Sequence, residues 1–191
     1  MIEIKETTKK YGELTVIDKL SISFAKGTKT ALMGGSGRGK TTLLRIIAGL
    51  ESATLGSVKV NTPNIAYMFQ ESRLLPWKTA EENVKAVLDR AHFSLAEKYL
   101  SAVGLDGAKD KFPGELSGGM AQRVAFARFL AYAEATNAEL LLLDEPFSAL
   151  DTETATKMIS LLHKASSGKT LIIVTHDAAQ ASEIADNVTY I

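Results

Sequence analysis

Hydrophobic and polar positions alternate from the first residues of the chain. Ile2 and Ile4 are flanked by polar side chains, and Ile22 and Phe24 repeat the pattern. A period of two is that of a half-buried strand, so two strands are expected here, the second ended by the Lys26-Gly27 turn. Residues 30–33 form a short apolar run closed by a glycine cluster. A helix is expected over residues 40–48, stopped by Gly49. Val58 and Val60 alternate with Ser57 and Lys59 as another strand, and the β-forming run 65–69 stops at Gln70.

From residue 71 to 132 the character changes. Residues 80–88 and 95–103 read as helices separated by Pro and Gly breaks. Met120, Val124, Ala127 and Ala131 make an apolar stripe at helical spacing. Residues 139–143 and 170–174 then read as strands buried on both faces, with helices between and after them. Alternating helices and fully apolar strands predict an α/β fold with a parallel sheet covered on both sides. The middle helices read as an inserted subdomain. The chain carries no internal repeat, low-complexity tract or heptad series.

Composition narrows the class. The 191 residues suit one domain with one substantial core, and 46% apolar with 23% charged residues is ordinary for a globular chain. Twenty-two basic residues balance twenty-two acidic ones, which argues against a dedicated nucleic-acid binder. The absence of cysteine excludes disulfides and thiolate chemistry and fits the cytosol. No run approaches the ~18 apolar residues of a membrane span. The opening Met-Ile-Glu-Ile-Lys is no signal peptide, so other chains would have to provide any membrane attachment.

Candidate chemistry begins at Gly34-Gly35-Ser36-Gly37-Arg38-Gly39-Lys40-Thr41, which matches G-x-x-x-x-G-K-[ST] between an expected strand and an expected helix. The glycines let successive N–H groups point into one hollow, and the helix dipole adds attraction for phosphate. Lys40 can reach the β- and γ-phosphates, and the Thr41 hydroxyl can ligate Mg²⁺. The motif implies a nucleotide binder and nothing narrower. The apolar run Leu140-Leu141-Leu142-Leu143 ends in Asp144-Glu145-Pro146. Such a strand delivers its last side chains to the carboxyl edge of the sheet, where open α/β folds bind ligands. There Asp144 can hold Mg²⁺ through its water shell and Glu145 can accept a proton from an attacking water. Taken alone, the same pair is equally a solvated acidic turn. Leu116-Ser117-Gly118-Gly119-Met120 opens the striped helix. Ser117 is a good N-cap, and the two glycines expose N–H groups at a helix start, which is either a second anion site or simple capping. His92 and His163 have no motif around them, and no Cys or paired-His spacing supports a separate metal site.

The Leu116–Met120 segment resembles the Leu-Ser-Gly-Gly-Gln signature of ABC (ATP-binding cassette) ATPases, and the other motifs of that family follow in order along the whole chain. Tyr11 resembles the aromatic that stacks on adenine. Gln70 resembles the loop glutamine that senses Mg²⁺ and water. Ser148-Ala149-Leu150-Asp151 resembles the loop that crosses between subunits, and His176 resembles the switch histidine on the γ-phosphate. Two positions depart from the pattern: Met120 stands where Gln is usual, and Arg38 where a small or polar residue is usual.

The resemblance implies a P-loop NTPase (RecA-like) core with an antiparallel β subdomain and an inserted α-helical subdomain. Residues 1–70 and 133–191 would form the core with its β subdomain, and 71–132 the helical subdomain, in one cassette. It implies ATP and Mg²⁺ as cofactors. Tyr11, Gly34, Gly35, Ser36, Gly37, Arg38, Gly39, Lys40, Thr41 and Thr42 would bind nucleotide. Ser117, Gly118, Gly119 and Asp151 would complete the site from a second copy in a head-to-tail dimer. Thr41, Gln70 and Asp144 would hold the metal, and Glu145, His176, Gln70 and Lys40 would carry hydrolysis. The segment Glu71-Ser72-Arg73-Leu74-Leu75-Pro76-Trp77, with Glu81 and Asn83, resembles bacterial importers of nitrate, sulfonate, taurine and pyrimidine precursors. It would dock integral membrane permease subunits, with Trp77 either offered to them or packed under the helices. The resemblance further implies a solute-binding protein, no nucleic acid, and a cytoplasmic location on the inner face of the membrane. The other reading is a non-importer cassette, of the lipoprotein-release or cell-division type or associated with chromosomes or ribosomes. For this family the chain is short and ends without the usual C-terminal extension, so no regulatory ligand site is expected.

Overall fold

Ile2 and Ile4 are buried in β1 (Ile2–Tyr11), which pairs antiparallel with β2 (Leu14–Phe24) and β4 (Leu55–Val60). Ile2 faces Phe24 and Val60, and Ile4 faces Ile22 and Val58, so the alternating residues stack on one face. The strand is longer than its alternation suggests. Register shifts between Ile4 and Thr7 and again before Lys9 bring the polar Thr7 and Thr8 inside, with Glu6 at φ +45. The structure is a computed structural model and describes residues Met1–Ile191.

The chain divides into two compact units. The first comprises Met1–Ile65, Glu139–Asp144 and Gly168–Ile191; the second comprises Ala66–Ala138 and Glu145–Ser167. The first holds the antiparallel sheet and the parallel strands β3 (Lys29–Met33), β6 (Leu140–Asp144), β7 (Thr170–Val174) and β8 (Asn187–Tyr190), in the order β6-β7-β3-β8. Every residue of β6 and β7 is buried, as their unbroken apolar runs require. The amphipathic α1 (Lys40–Ile47) buries Leu43, Leu44, Ile46 and Ile47 and packs on β6 and β7, while α6 (Ala178–Ile184) packs on β3.

After β5 (Ile65–Met68), the second unit is helical: α2 (Ala80–Lys85), α3 (Ser94–Ala102), α4 (Gly118–Ala135) and α5 (Thr152–Ala165). Its spine is α4, which packs on all three of the others and buries eight apolar side chains from Val124 to Ala133. Phe126 contacts Phe129 and, edge-on at 5.7 Å, Phe147. A Thr79/Glu82 capping box starts α2. That helix is shorter than the expected 80–88, because its end tightens into i→i+3 bonds from Val87 to Val84 and from Leu88 to Lys85. No helix is long and apolar enough to cross a membrane.

Candidate active site

The register of three parallel strands gathers the candidate residues of the first unit. Leu32 of β3 lies opposite Val174 of β7, which lies opposite Asp144 of β6. The residues that follow Leu32 and Val174 therefore leave the sheet at the edge that Asp144 occupies. They are the phosphate loop, which opens at Gly34, and Thr175-His176. Thr175 is buried, donates to Gln180 and accepts from the Asp177 N–H, which fixes the turn carrying the exposed His176. Asp144 is 1% exposed.

In the phosphate loop, residues 35–38 are exposed and α1 begins without any side-chain cap. Its first N–H groups are thus left to a ligand, and an anion is the ligand such a terminus attracts. Gly39 is the N-cap at φ +84. A Cβ there would lie 2.9 Å from both Ile17 Cγ1 and the Val16 carbonyl, so only glycine lets the loop approach β2. Lys40 is 6% exposed, and its ammonium donates to the carbonyls of Gly34 (2.9 Å) and Gly35 (2.7 Å), which holds the positive charge against the loop. The Thr41 and Thr42 side chains follow in the first turn of α1. Arg38 is exposed, and nothing in the structure explains its presence in the loop.

Tyr11 ends β1 and is 45% exposed. Its hydroxyl donates to Glu51, just after α1, and Thr42 also hydrogen-bonds the phenol. Burial first, and the Glu51 carboxylate second, push this phenol above its ordinary pKa. The bond to Tyr11 in turn holds Glu51 below the usual carboxylate range.

The second unit carries the remaining candidates. Glu145 follows Asp144 with φ +46, a left-handed conformation costing on the order of 1–3 kcal/mol in a non-glycine residue. Its carbonyl accepts from the Ser148 hydroxyl at 3.1 Å, and the next carbonyl, of Pro146, accepts from the buried Gln122 of α4 at 3.1 Å. Strain of this kind concentrates where a fold over-determines one side chain's placement. Ser117 caps α4 by accepting from the Met120 N–H at 3.2 Å. Gly119 sits where a Cβ would be 3.3 Å from the Ala149 carbonyl, which brings the signature against the 148–151 loop. Asp151 caps α5 through the Thr154 N–H and hydroxyl. Gln70 is exposed beyond β5.

The stretch after Gln70 is held by two side chains from outside it. Arg128 of α4 donates to the carbonyls of Ser72 (2.6 Å) and Arg73 (3.0 Å), and burial lowers its pKa. Asn83 of α2 is fully buried. It accepts from the Leu75 N–H and donates to the carbonyls of Leu75, Lys78 and Thr79. Trp77 projects from this frame 70% exposed, not packed beneath the helices.

The family model described as ABC transporter matches residues 17–148, more than half of the chain. The chain belongs to the ABC transporter family of ATP-binding cassettes. The aliphatic sulfonates import ATP-binding protein SsuB 2 of Xanthomonas axonopodis pv. citri is 41% identical over 98% of this cassette and 66% of its own length. The aliphatic sulfonates import ATP-binding protein SsuB 3 of Paraburkholderia xenovorans is 43% identical over 98% of this cassette and 75% of its own length. The chain thus spans about two thirds to three quarters of these relatives. A solved structure, the dimeric post-hydrolysis state of the cassette MJ0796 bound to ADP and phosphate, superposes with a TM-score of 0.89 at 31% identity. The match covers 100% of this chain and 94% of that one. The expected fold, a P-loop α/β core with an antiparallel β sheet and helices, is the one found.

Glu51 and Arg128 support candidate residues and carry no motif in the sequence; Gln122 follows the signature without a role that the sequence assigns, and Asn83 carries only its likeness to importers. Glu51, Gln122 and Arg128 act through partners at least 24 residues away in sequence, for which no local pattern exists, whereas Asn83 bonds backbone groups within eight residues of itself.

Proposed function

We propose that this cassette is the ATP-hydrolysing motor of a bacterial importer for small organic anions of the sulfonate class. It works as a head-to-tail dimer bound to integral membrane permease subunits at the inner face of the cell membrane. The observation that supports this most is the meeting of the phosphate loop, Asp144 and His176 at one sheet edge, in a chain about 40% identical to sulfonate-import cassettes. ATP would lie with its base on Tyr11 and its phosphates over Gly34 to Thr42, where Lys40 and the open N-terminus of α1 supply positive potential. Glu145 takes the proton of the attacking water, His176 meets the γ-phosphate, and Gln70 senses the occupied site. Ser117, Gly118 and Gly119 from the second copy close the site, with Asp151 at the crossing loop.

The donors present fit Mg²⁺. Thr41 on α1 and Asp144 on β6 belong to elements packed on one another, and both offer hard oxygens. Thr41 and Asp144 would hold the ion, which would supply positive charge against that of the transferring phosphoryl group. The exposed Trp77 and Pro76 suit a permease segment, and a solute-binding protein would supply the cargo to the permease from the far side.

The test is Glu145→Gln, assayed for phosphate release and run on size-exclusion chromatography with and without ATP and Mg²⁺. Lost hydrolysis with an ATP-dependent shift to dimer supports the reading. Hydrolysis at the native rate would falsify the assignment of Glu145 as base. A mutant that stays monomeric with ATP removes the claim that this chain closes on its own.

A further inference from the structure

We propose that Glu51 is a positioning residue for the nucleotide base. It anchors Tyr11 so that the ring stands ready to stack, and it raises affinity for the base without touching the phosphates. The proposal rests on the reading of Tyr11 as the base platform. Tyr11 stands at the exposed end of β1, next to Gly12 at φ +57, where an unanchored ring would sample several rotamers. Its hydroxyl donates to Glu51. Glu51 is itself fixed from two further sides, by Arg45 of α1 at 3.4 Å and by Lys9 of β1 at 3.4 Å. Lys9 also donates to the Ser52 carbonyl at 2.8 Å and lies 4.8 Å from the centre of the Tyr11 ring. One face of the ring is thus covered by a cation. Tyr11 nonetheless remains 45% exposed, so the other face is available to a planar ligand. Five side chains from β1, α1 and the segment after α1 (Lys9, Tyr11, Thr42, Arg45 and Glu51) form one network. It ties the base platform to the helix whose N-terminus faces the phosphates. A ring already held in its stacking pose loses less rotamer entropy on binding, so affinity for the base rises.

The experiment measures equilibrium binding of ATP and of inorganic tripolyphosphate to the full chain, for the native protein and for Glu51→Ala, Glu51→Gln, Tyr11→Phe and Tyr11→Ala. Glu51→Ala should weaken ATP about fivefold and leave tripolyphosphate unchanged, since only the preorganisation of the base platform is lost. Glu51→Gln keeps an acceptor and should retain most of the affinity. Tyr11→Phe keeps the ring but cuts the anchor, so it should match Glu51→Ala and tests the idea even if that variant folds poorly. Equal weakening of both ligands by Glu51→Ala, or native ATP affinity in Tyr11→Phe, overturns the proposal. If Tyr11→Ala leaves the ratio of the two affinities unchanged, the base-stacking assignment itself falls.

Discussion

The phosphate loop and the stretch after β5 are both irregular segments that run into a helix, and they are held by opposite means. The phosphate loop is fixed from within: Lys40 bonds carbonyls five and six residues earlier, and glycines set the backbone path. The 72–79 stretch is fixed from outside, by Arg128 reaching back 55 residues or more and by Asn83 from the next helix. The difference follows from what each offers. A loop that binds its ligand through N–H groups must leave those groups open, so side chains from elsewhere cannot occupy them. A loop that offers side chains, here Pro76 and Trp77, can have its backbone fully engaged by the rest of the unit.

The sharpest way to break this comparison is Gly39→Ala. The new methyl group meets Ile17 and the Val16 carbonyl at 2.9 Å with φ at +84, which combines a steric clash with backbone strain. A loss of roughly 2–5 kcal/mol is expected, seen as a fall of about 10 °C in melting temperature by calorimetry. ATP should no longer raise the melting temperature. A shift under about 2 °C with ATP protection intact would mean the loop relaxes freely and is not set by its glycines.

Asn83→Ala attacks the other loop. It removes an acceptor and two donor hydrogens from a fully buried group and takes their side-chain partner from the Leu75 N–H and the Lys78 carbonyl, while the carbonyls of Leu75 and Thr79 keep the backbone N–H groups of Lys78 and Asn83. The expected destabilisation is about 2–4 kcal/mol. Trp77 is the chain's single tryptophan, so its fluorescence anisotropy reports this loop alone. The anisotropy should drop in Asn83→Ala and stay native in Gly39→Ala, and ATP should still protect Asn83→Ala from heat. If the two variants affect Trp77 alike, the loops are not held independently.

The same contrast explains what could be read from the sequence. Unbroken apolar runs located β6 and β7 to within a residue, because a strand buried on both faces has no other composition available. The phosphate loop was legible because its chemistry sits in consecutive residues. The extent of β1 was not, since bulges at Thr7 and Lys9 interrupt its period of two. The end of α2 was missed because the pattern does not register a last turn tightened into i→i+3 bonds. The supports supplied by Glu51, Gln122 and Arg128 were invisible for a different reason: each bond joins positions 20 or more residues apart.

Asp151 sharpens the comparison with the smallest expected effect, because it ends a third irregular segment by capping the helix that follows. The Thr154 N–H first, and its hydroxyl second, hold this carboxyl below its ordinary value of 3.8. A carboxylate depressed in the folded state adds stability above its unfolded pKa and loses it as pH falls through the folded one. The stability gap between the native chain and Asp151→Asn should therefore be flat from about pH 7 to pH 5 and close below about pH 4 in denaturant titrations. Asparagine still caps, so the gap is small throughout. A gap that persists unchanged at the lowest pH would assign the cap to geometry rather than charge. If Asp151→Asn instead abolishes the ATP-dependent dimer at pH 7 with the gap as predicted, its main work lies across the dimer. The 145–151 segment would then resemble the 72–79 loop in presenting side chains to a partner, while being held both by bonds close in sequence, as the phosphate loop is, and by Gln122 reaching in from α4.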